Sequence, residues 1–148
     1  MFASVVAFVA ALAASAAAIP TTAEARGTQA TWTATNWGEG CSPGGCRGHF
    51  NINAPAGYVK DAPAFNVLCH STYIQGGWTK CEAIGEQAAS SYVESLWPEA
   101  SQREHIKIAV SHIWTQGEAK MNASGSAEFE SGSTTFAVPV AEISAMPA

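Results

Sequence analysis

The chain has 148 residues, a net charge of −5, 13% charged residues and 47% hydrophobic ones. With that acidic balance and no Lys/Arg-rich run, the sequence lacks the electrostatic attraction behind most non-specific binding to nucleic acid or anionic membranes. Five Trp and six Phe exclude a disordered polar chain, and the length supports one core rather than two.

Residues 1–25 read as a secretory signal peptide. An uncharged, alanine-rich run extends to Ile19 and is followed by Pro20 and the small-residue pattern Ala23-Glu24-Ala25. Cleavage is expected after Ala25, with Ala18 as the alternative. A membrane anchor fits less well, because the run is rich in Ala and has no positive flank. Residues 26–148 then form a single domain, with no nucleic-acid or membrane partner expected.

In chain order, Thr28 to Trp37 alternates, with Thr31, Thr33 and Thr35 on one face and Trp32 and Ala34 on the other. Period two with β-branched residues predicts a strand. Gly38-Glu39-Gly40 ends it, and a loop from Cys41 to Cys46 comes next. In the second strand Phe50, Ile52 and Ala54 oppose His49, Asn51 and Asn53, so one side is dry and the other wet. Pro55 to Pro63 is a long connection. Phe65, Val67 and Cys69 then share an apolar face opposite Asn66, Leu68 and His70, and Trp78 to Ala83 returns antiparallel so that Cys81 meets Cys69.

Gly85 to Ser90 is loop; Ser91 to Trp97 fits a helical turn through Tyr92, Val93 and Leu96 as well as a strand closed by Pro98, and is read as strand because its neighbours are strands; Glu99 to Glu104 is a turn. The clearest strand is His105 to Thr115, with Ile106, Ile108, Val110, His112 and Trp114 on one face. Gln116-Gly117 turns the chain into Glu118 to Ser124, with Ala119, Met121 and Ala123 inward. Ser131-Gly132-Ser133 turns it again into Thr134 to Val140, where Pro139 marks an edge or a bulge. Seven to nine strands without an amphipathic helix predict an all-β fold, a compact antiparallel barrel or sandwich.

Four cysteines in an exported chain read as two disulfides, for which three pairings are open. Turn-forming residues between the members favour Cys41–Cys46 and Cys69–Cys81. The spacing does not suit zinc, since no CxxC is present, and no cofactor is expected.

For catalysis, GxSxG, HExxH and a free nucleophilic cysteine are all missing. His105 and His112 fall on opposite faces of one strand, and His112 reads as a core or rim histidine with a hydrogen-bonded ring. His49 and His70 share polar faces of neighbouring strands and, with Glu82 or Glu86, form the one acid/base pair available to a small ribonuclease or glycosidase. Trp37 and Trp78, beside glycines at strand ends, are expected as the exposed pair of flat aromatics suited to sugar rings or polyphenols. Asn122-Ala123-Ser124 is a glycosylation sequon with Asn122 facing outward.

The succession Trp32-Thr33, Cys41 to Cys46, Phe50-Asn51-Ile52, Phe65 to Cys69, Trp78 to Cys81 and His112-Ile113-Trp114 resembles the fungal family typified by the major Alternaria allergen and its plant-response-eliciting relatives. The resemblance is specific over Phe50 to Cys81 and loose elsewhere. It implies a secreted β-barrel without catalysis, a role at the cell wall or host surface, and small aromatic ligands. The chain departs from the family's type member in lacking a C-terminal cysteine pair and an odd cysteine. A covalent dimer, and the ligand surface at its seam, therefore do not carry over. The expectation is a secreted, non-catalytic binding protein of the allergen-like or effector type. Its partner would be an extracellular host protein, a cell-wall component or a small aromatic ligand. The competing reading is the hydrolase built on His49 and His70.

Overall fold

A computed structural model describes residues 30–73, 77–98 and 105–146. The expected signal peptide, Arg26, the turn at 99–104 and part of the Gln75-Gly76-Gly77 bend lie outside the described residues. The strands are β1 (Thr31–Ser42), β2 (Gly45–Ala54), β3 (Phe65–Thr72), β4 (Thr79–Lys80), β5 (Glu82–Ala83), β6 (Ser91–Leu96), β7 (His105–Gln116), β8 (Ala119–Glu130) and β9 (Phe136–Met146). They form one antiparallel sheet in the order β4-β6-β7-β8-β9-β1-β2-β3-β5, as the alternation of residues predicts. Among the described residues no helix is long and apolar enough to cross a membrane.

Strands β4 and β5 are adjacent in the chain yet lie at opposite ends of the sheet, so the short stretch Thr79–Ala83 nearly closes a barrel. Thr79 and Lys80 pair with Ser95 and Glu94 of β6, while Glu82 and Ala83 pair with Leu68 and Val67 of β3. Cys81 is where the segment changes partner. Its N–H donates to the Val93 carbonyl at 2.8 Å, and its sulfur is bonded to Cys69. The hydroxyls of Ser71 and Ser95 hydrogen-bond across the seam at 2.7 Å. The expectation of one strand returning along β3 therefore holds only for its second half. The first half turns to β6, whose edge would otherwise leave its backbone groups unpaired.

The second disulfide joins Cys41 and Cys46, which are direct cross-strand partners with Cα atoms 4.0 Å apart. Strand β1 thus continues through Gly38-Glu39-Gly40 to Ser42 instead of ending there, because Glu39 and Gly40 keep the ladder with Gly48 and Arg47. Pro43 and Gly44 are left as the hairpin tip.

Within β1, Asn36 has a φ of 57° and the register with β2 slips between Thr35 and Gly38. This bulge sets Asn36 and Trp37 against Phe50 alone and reverses the parity of the strand. Trp37 consequently points inward and is buried, correcting the expectation that it stands exposed with Trp78. Its indole lies directly over Gly48, where a Cβ would run into the ring.

The barrel interior is filled by the rows that the alternation selects. On β7 Ile106, Ile108, Val110, His112 and Trp114 are all buried, and Phe50, Ile52, Phe65, Val67 and Val93 face them. Two groups of rings form. Trp37 contacts Phe50, Trp97, Phe129 and Phe136, while Trp32, Tyr58, Phe65, His112 and Trp114 make the other. The connection between β2 and β3 is compact, held by Gly57 N–H to Ala62 carbonyl at 2.8 Å and Ala62 N–H to Val59 carbonyl at 3.1 Å. It buries Val59 and Ala62 in the core.

Strands β8 and β9 run beyond the expected ends at Ser124 and Val140, to Glu130 and Met146. Of the expected inward residues of β8, Ala123 is buried, Met121 half-buried, and Ala119 exposed at the hairpin end. The pairing of β8 with β9 slips between Ser124 and Gly125, leaving Ala141 as an extra residue on β9, so Pro139 does sit next to a bulge. A Cβ at Gly125 would collide with the Pro139 carbonyl oxygen and crowd Val138. Since backbone cannot swing aside, Gly125→Ala should cost about 1–3 kcal/mol. Urea unfolding should show this as a lower midpoint with an unchanged slope.

Candidate binding surface

The four histidines separate into three environments. His112 is fully buried, with Nδ1 2.7 Å from the Tyr58 hydroxyl and Nε2 2.8 Å from Ser91 Oγ. Burial pushes its pKa down to about 4 and pushes the Tyr58 phenol up. A serine, an imidazole and a third hydrogen-bonding group in line resemble a nucleophile, its base and its orienter. Here the third member is a phenol held neutral, which offers no charge to an imidazolium, and the ring packs against Phe65 and Trp114. The arrangement satisfies a polar group in the core, as expected for a core histidine with a bonded ring.

His105 lies on the surface 3.1 Å from Glu128, whose carboxyl it holds below its ordinary pKa. His49 and His70 are direct cross-strand partners of β2 and β3, with ring centroids 6.4 Å apart, and the His49 ring covers Gly38. The alternation thus places this pair correctly. Glu82 pairs with Leu68 on the same strand as His70, and Glu86 lines a separate groove with Pro63 and Ala64. Among the described residues no hydrogen bond joins either imidazole to a carboxylate, so the geometry gives two neighbouring imidazoles without the Glu82 or Glu86 partner expected beside them.

Trp78 is where the surface offers an aromatic face. It is 46% exposed and, with Ile84 at 50%, is one of two large apolar side chains standing in solvent among the described residues. They flank the closing segment on either side. Gly77, at a φ of 149°, turns the chain into Trp78. On the other side of Trp78 the backbone is fixed by the pairing of Thr79 with Ser95 and by the Cys69–Cys81 bond.

Trp78 forms one wall of a groove of about 260 Å³ over the outer face of β7, β8 and β9, lined also by Ala109, Ser124, Ser126, Ala141 and Glu142. Glu142 is the cross-strand partner of Ser124, and the bulge leaves both Ala141 and Glu142 exposed in succession. A second hollow, of about 490 Å³, lies at the Cys41–Cys46 hairpin tip beside Arg47 and Thr72.

Asn122 stands on the outer face as expected, half-buried, and its Oδ1 accepts a 2.6 Å hydrogen bond from Ser111. Tyr92 on the same face lies beneath Lys80 and Lys120, at 4.4 and 5.8 Å from the ring centroid. Sequence reasoning identifies Trp78 but not the groove floor, which depends on the bulge at Ala141. Pro139 is the only local signal of that irregularity.

Comparison of the chain with known protein families, with curated proteins and with solved structures gave no match.

Proposed function

We propose that this is a secreted, non-catalytic binding protein that engages a host or cell-wall partner outside the cell through the surface around Trp78. The observation that carries this reading is a half-exposed tryptophan, followed directly by the backbone that the Thr79–Ser95 pairing and the Cys69–Cys81 bond hold, beside a groove on the outer face of the barrel. Exposed aromatics anchored on ordered backbone lose little side-chain entropy on binding, which suits them to act as contact anchors. Two disulfides favour an oxidising compartment, in keeping with the leader-like N-terminus. The likeness of Phe50 to Cys81 to the allergen-like fungal family supports the same role.

Retention of the purified protein on washed wall material and on immobilised extracellular host fractions tests the proposal. Trp78→Ala should melt within a few degrees of wild type yet lose most of the retained protein. A variant retained as well as wild type would remove Trp78 from the contact surface.

The adjacency of His49 and His70 favours a second reading, a small secreted hydrolase. Turnover of RNA or of a glycan that disappears in both His49→Ala and His70→Ala would replace the binding proposal with that one.

A further inference from the structure

We propose that the groove beside Trp78 is a carbohydrate site that takes one neutral pyranose ring of an extracellular polysaccharide. This rests on the reading of Trp78 as the contact surface and names the chemistry that surface recognises.

A pyranose has an apolar C–H face and a rim of hydroxyls, and the groove presents the complement of both. The Trp78 indole supplies a flat apolar wall with its ring half in solvent. Ser124, Ser126 and Glu142 supply hydroxyls that donate or accept and a carboxylate that accepts from ligand hydroxyls. Ala109 and Ala141 keep the floor shallow enough for a ring to approach.

The β9 bulge is what makes this possible. Val140 points inward and strict alternation would send Glu142 inward with it, whereas the extra residue at Ala141 keeps Glu142 outside with Ser124. At about 260 Å³ the groove lies below the roughly 300–1,000 Å³ of pockets that enclose drug-sized ligands, so it suits a single ring.

Other ligand classes fit this lining less well. A phosphate or sulfate would meet the Glu142 carboxylate as a like charge. An alkyl chain would take Glu142 and the two serines out of water without hydrogen bonds. A bare aromatic ring would stack on Trp78 but leave the same three groups unpartnered.

The test is titration of the full chain with neutral oligosaccharides of glucose, of mannose and of N-acetylglucosamine, read by calorimetry and by tryptophan fluorescence. At least one series should bind and perturb the emission. Trp78→Ala should weaken that binding about tenfold, and Glu142→Gln, which preserves shape, should weaken it as well. Both variants should keep the wild-type melting temperature.

Failure of all three series to bind, or equal binding by wild type and Trp78→Ala, overturns the carbohydrate assignment. If the oligosaccharides fail while Trp78→Ala still abolishes retention on extracellular material, the ligand class falls and the contact surface stands. If that retention is also unchanged, both fall.

Discussion

Trp37→Ala should destabilise the protein by about 3–5 kcal/mol, the range for deleting a large aromatic from a packed core. Trp37 is the ring that Phe50, Trp97, Phe129 and Phe136 share, at centroid distances between 5.2 and 6.1 Å. Its loss leaves a void bounded by four aromatic side chains that cannot all close on it. Trp37→Phe retains most of the ring contacts and removes a buried indole N–H that no described residue accepts from, so it should cost far less.

The close approach to Gly48 gives a sharper test. A Cβ there meets the Trp37 six-membered ring, and Gly48→Ala alone should cost about 1–3 kcal/mol through overpacking. In the Trp37→Ala background the obstruction is gone, and the added cost of Gly48→Ala should fall to about 0.5 kcal/mol or less. Chemical denaturation of the four proteins in this cycle measures the coupling. Simple additivity of the two substitutions would show that the ring does not rest on Gly48.

Acid should weaken the fold through His112. The imidazole titrates at about 4 in the folded protein because burial disfavours its charged form, against about 6.5 for a histidine in an unfolded chain. Between these values the unfolded chain holds more protons, so stability rises with pH across this window. The contribution is fully present above pH 6.5 and is lost as pH falls from there to about 4, an effect on the order of 3 kcal/mol. Tyr58 and Ser91 flank the two ring nitrogens with hydroxyls that can donate or accept, so the penalty on the charged ring comes from its burial.

Urea midpoints measured between pH 7.5 and 4 should therefore decline for wild type. For His112→Gln they should start lower and show a flatter slope. Glu94, whose carboxyl is raised chiefly by burial, acts in the opposite sense but is common to both proteins. Equal slopes in the two proteins would dissociate the acid response from His112.

How much of the fold can be read from residues alone varies with how regular the local pattern is. Strand β7 carries five inward side chains in unbroken alternation, so both its length and its buried face are evident from Ile106 to Trp114. In β1 the same reasoning works up to Thr35 and then inverts, because Asn36 takes up a left-handed conformation that composition does not announce. That inversion turns Trp37 inward, against the exposure expected from its place beside glycines at a strand end.

The far half of β9, from Ala141 to Met146, has no buried side chain, so hydrophobic periodicity cannot detect it and only pairing with β8 reveals it. The closing segment is legible as a strand with a correctly paired disulfide, but its division between two edges depends on tertiary geometry. The surface around Trp78 shares that limit. Trp78 stands out beside its glycines, whereas Glu142 comes beside Ser124 only once β9 is registered on β8 with its bulge, and Trp78 reaches them only through the closing segment.

The latch at Cys81 also makes the molecule's weakest line the one that guards its flanks. Elsewhere the strands are bound by ladders of four to twelve paired residues, but among the described residues the two edges of the wrap meet through a pair of two-residue ladders, the Cys69–Cys81 disulfide, the Cys81 N–H bond to Val93 and the Ser71–Ser95 contact. Reduction of the Cys69–Cys81 bond would remove the clasp's covalent tie and, because Cys69 is buried in the core, loosen packing there, so that β3 and β6 would more readily expose hydrogen-bonding rims to other copies. Self-association after reduction should accordingly begin along this margin while the opposite wall, from β7 through β9, is still intact.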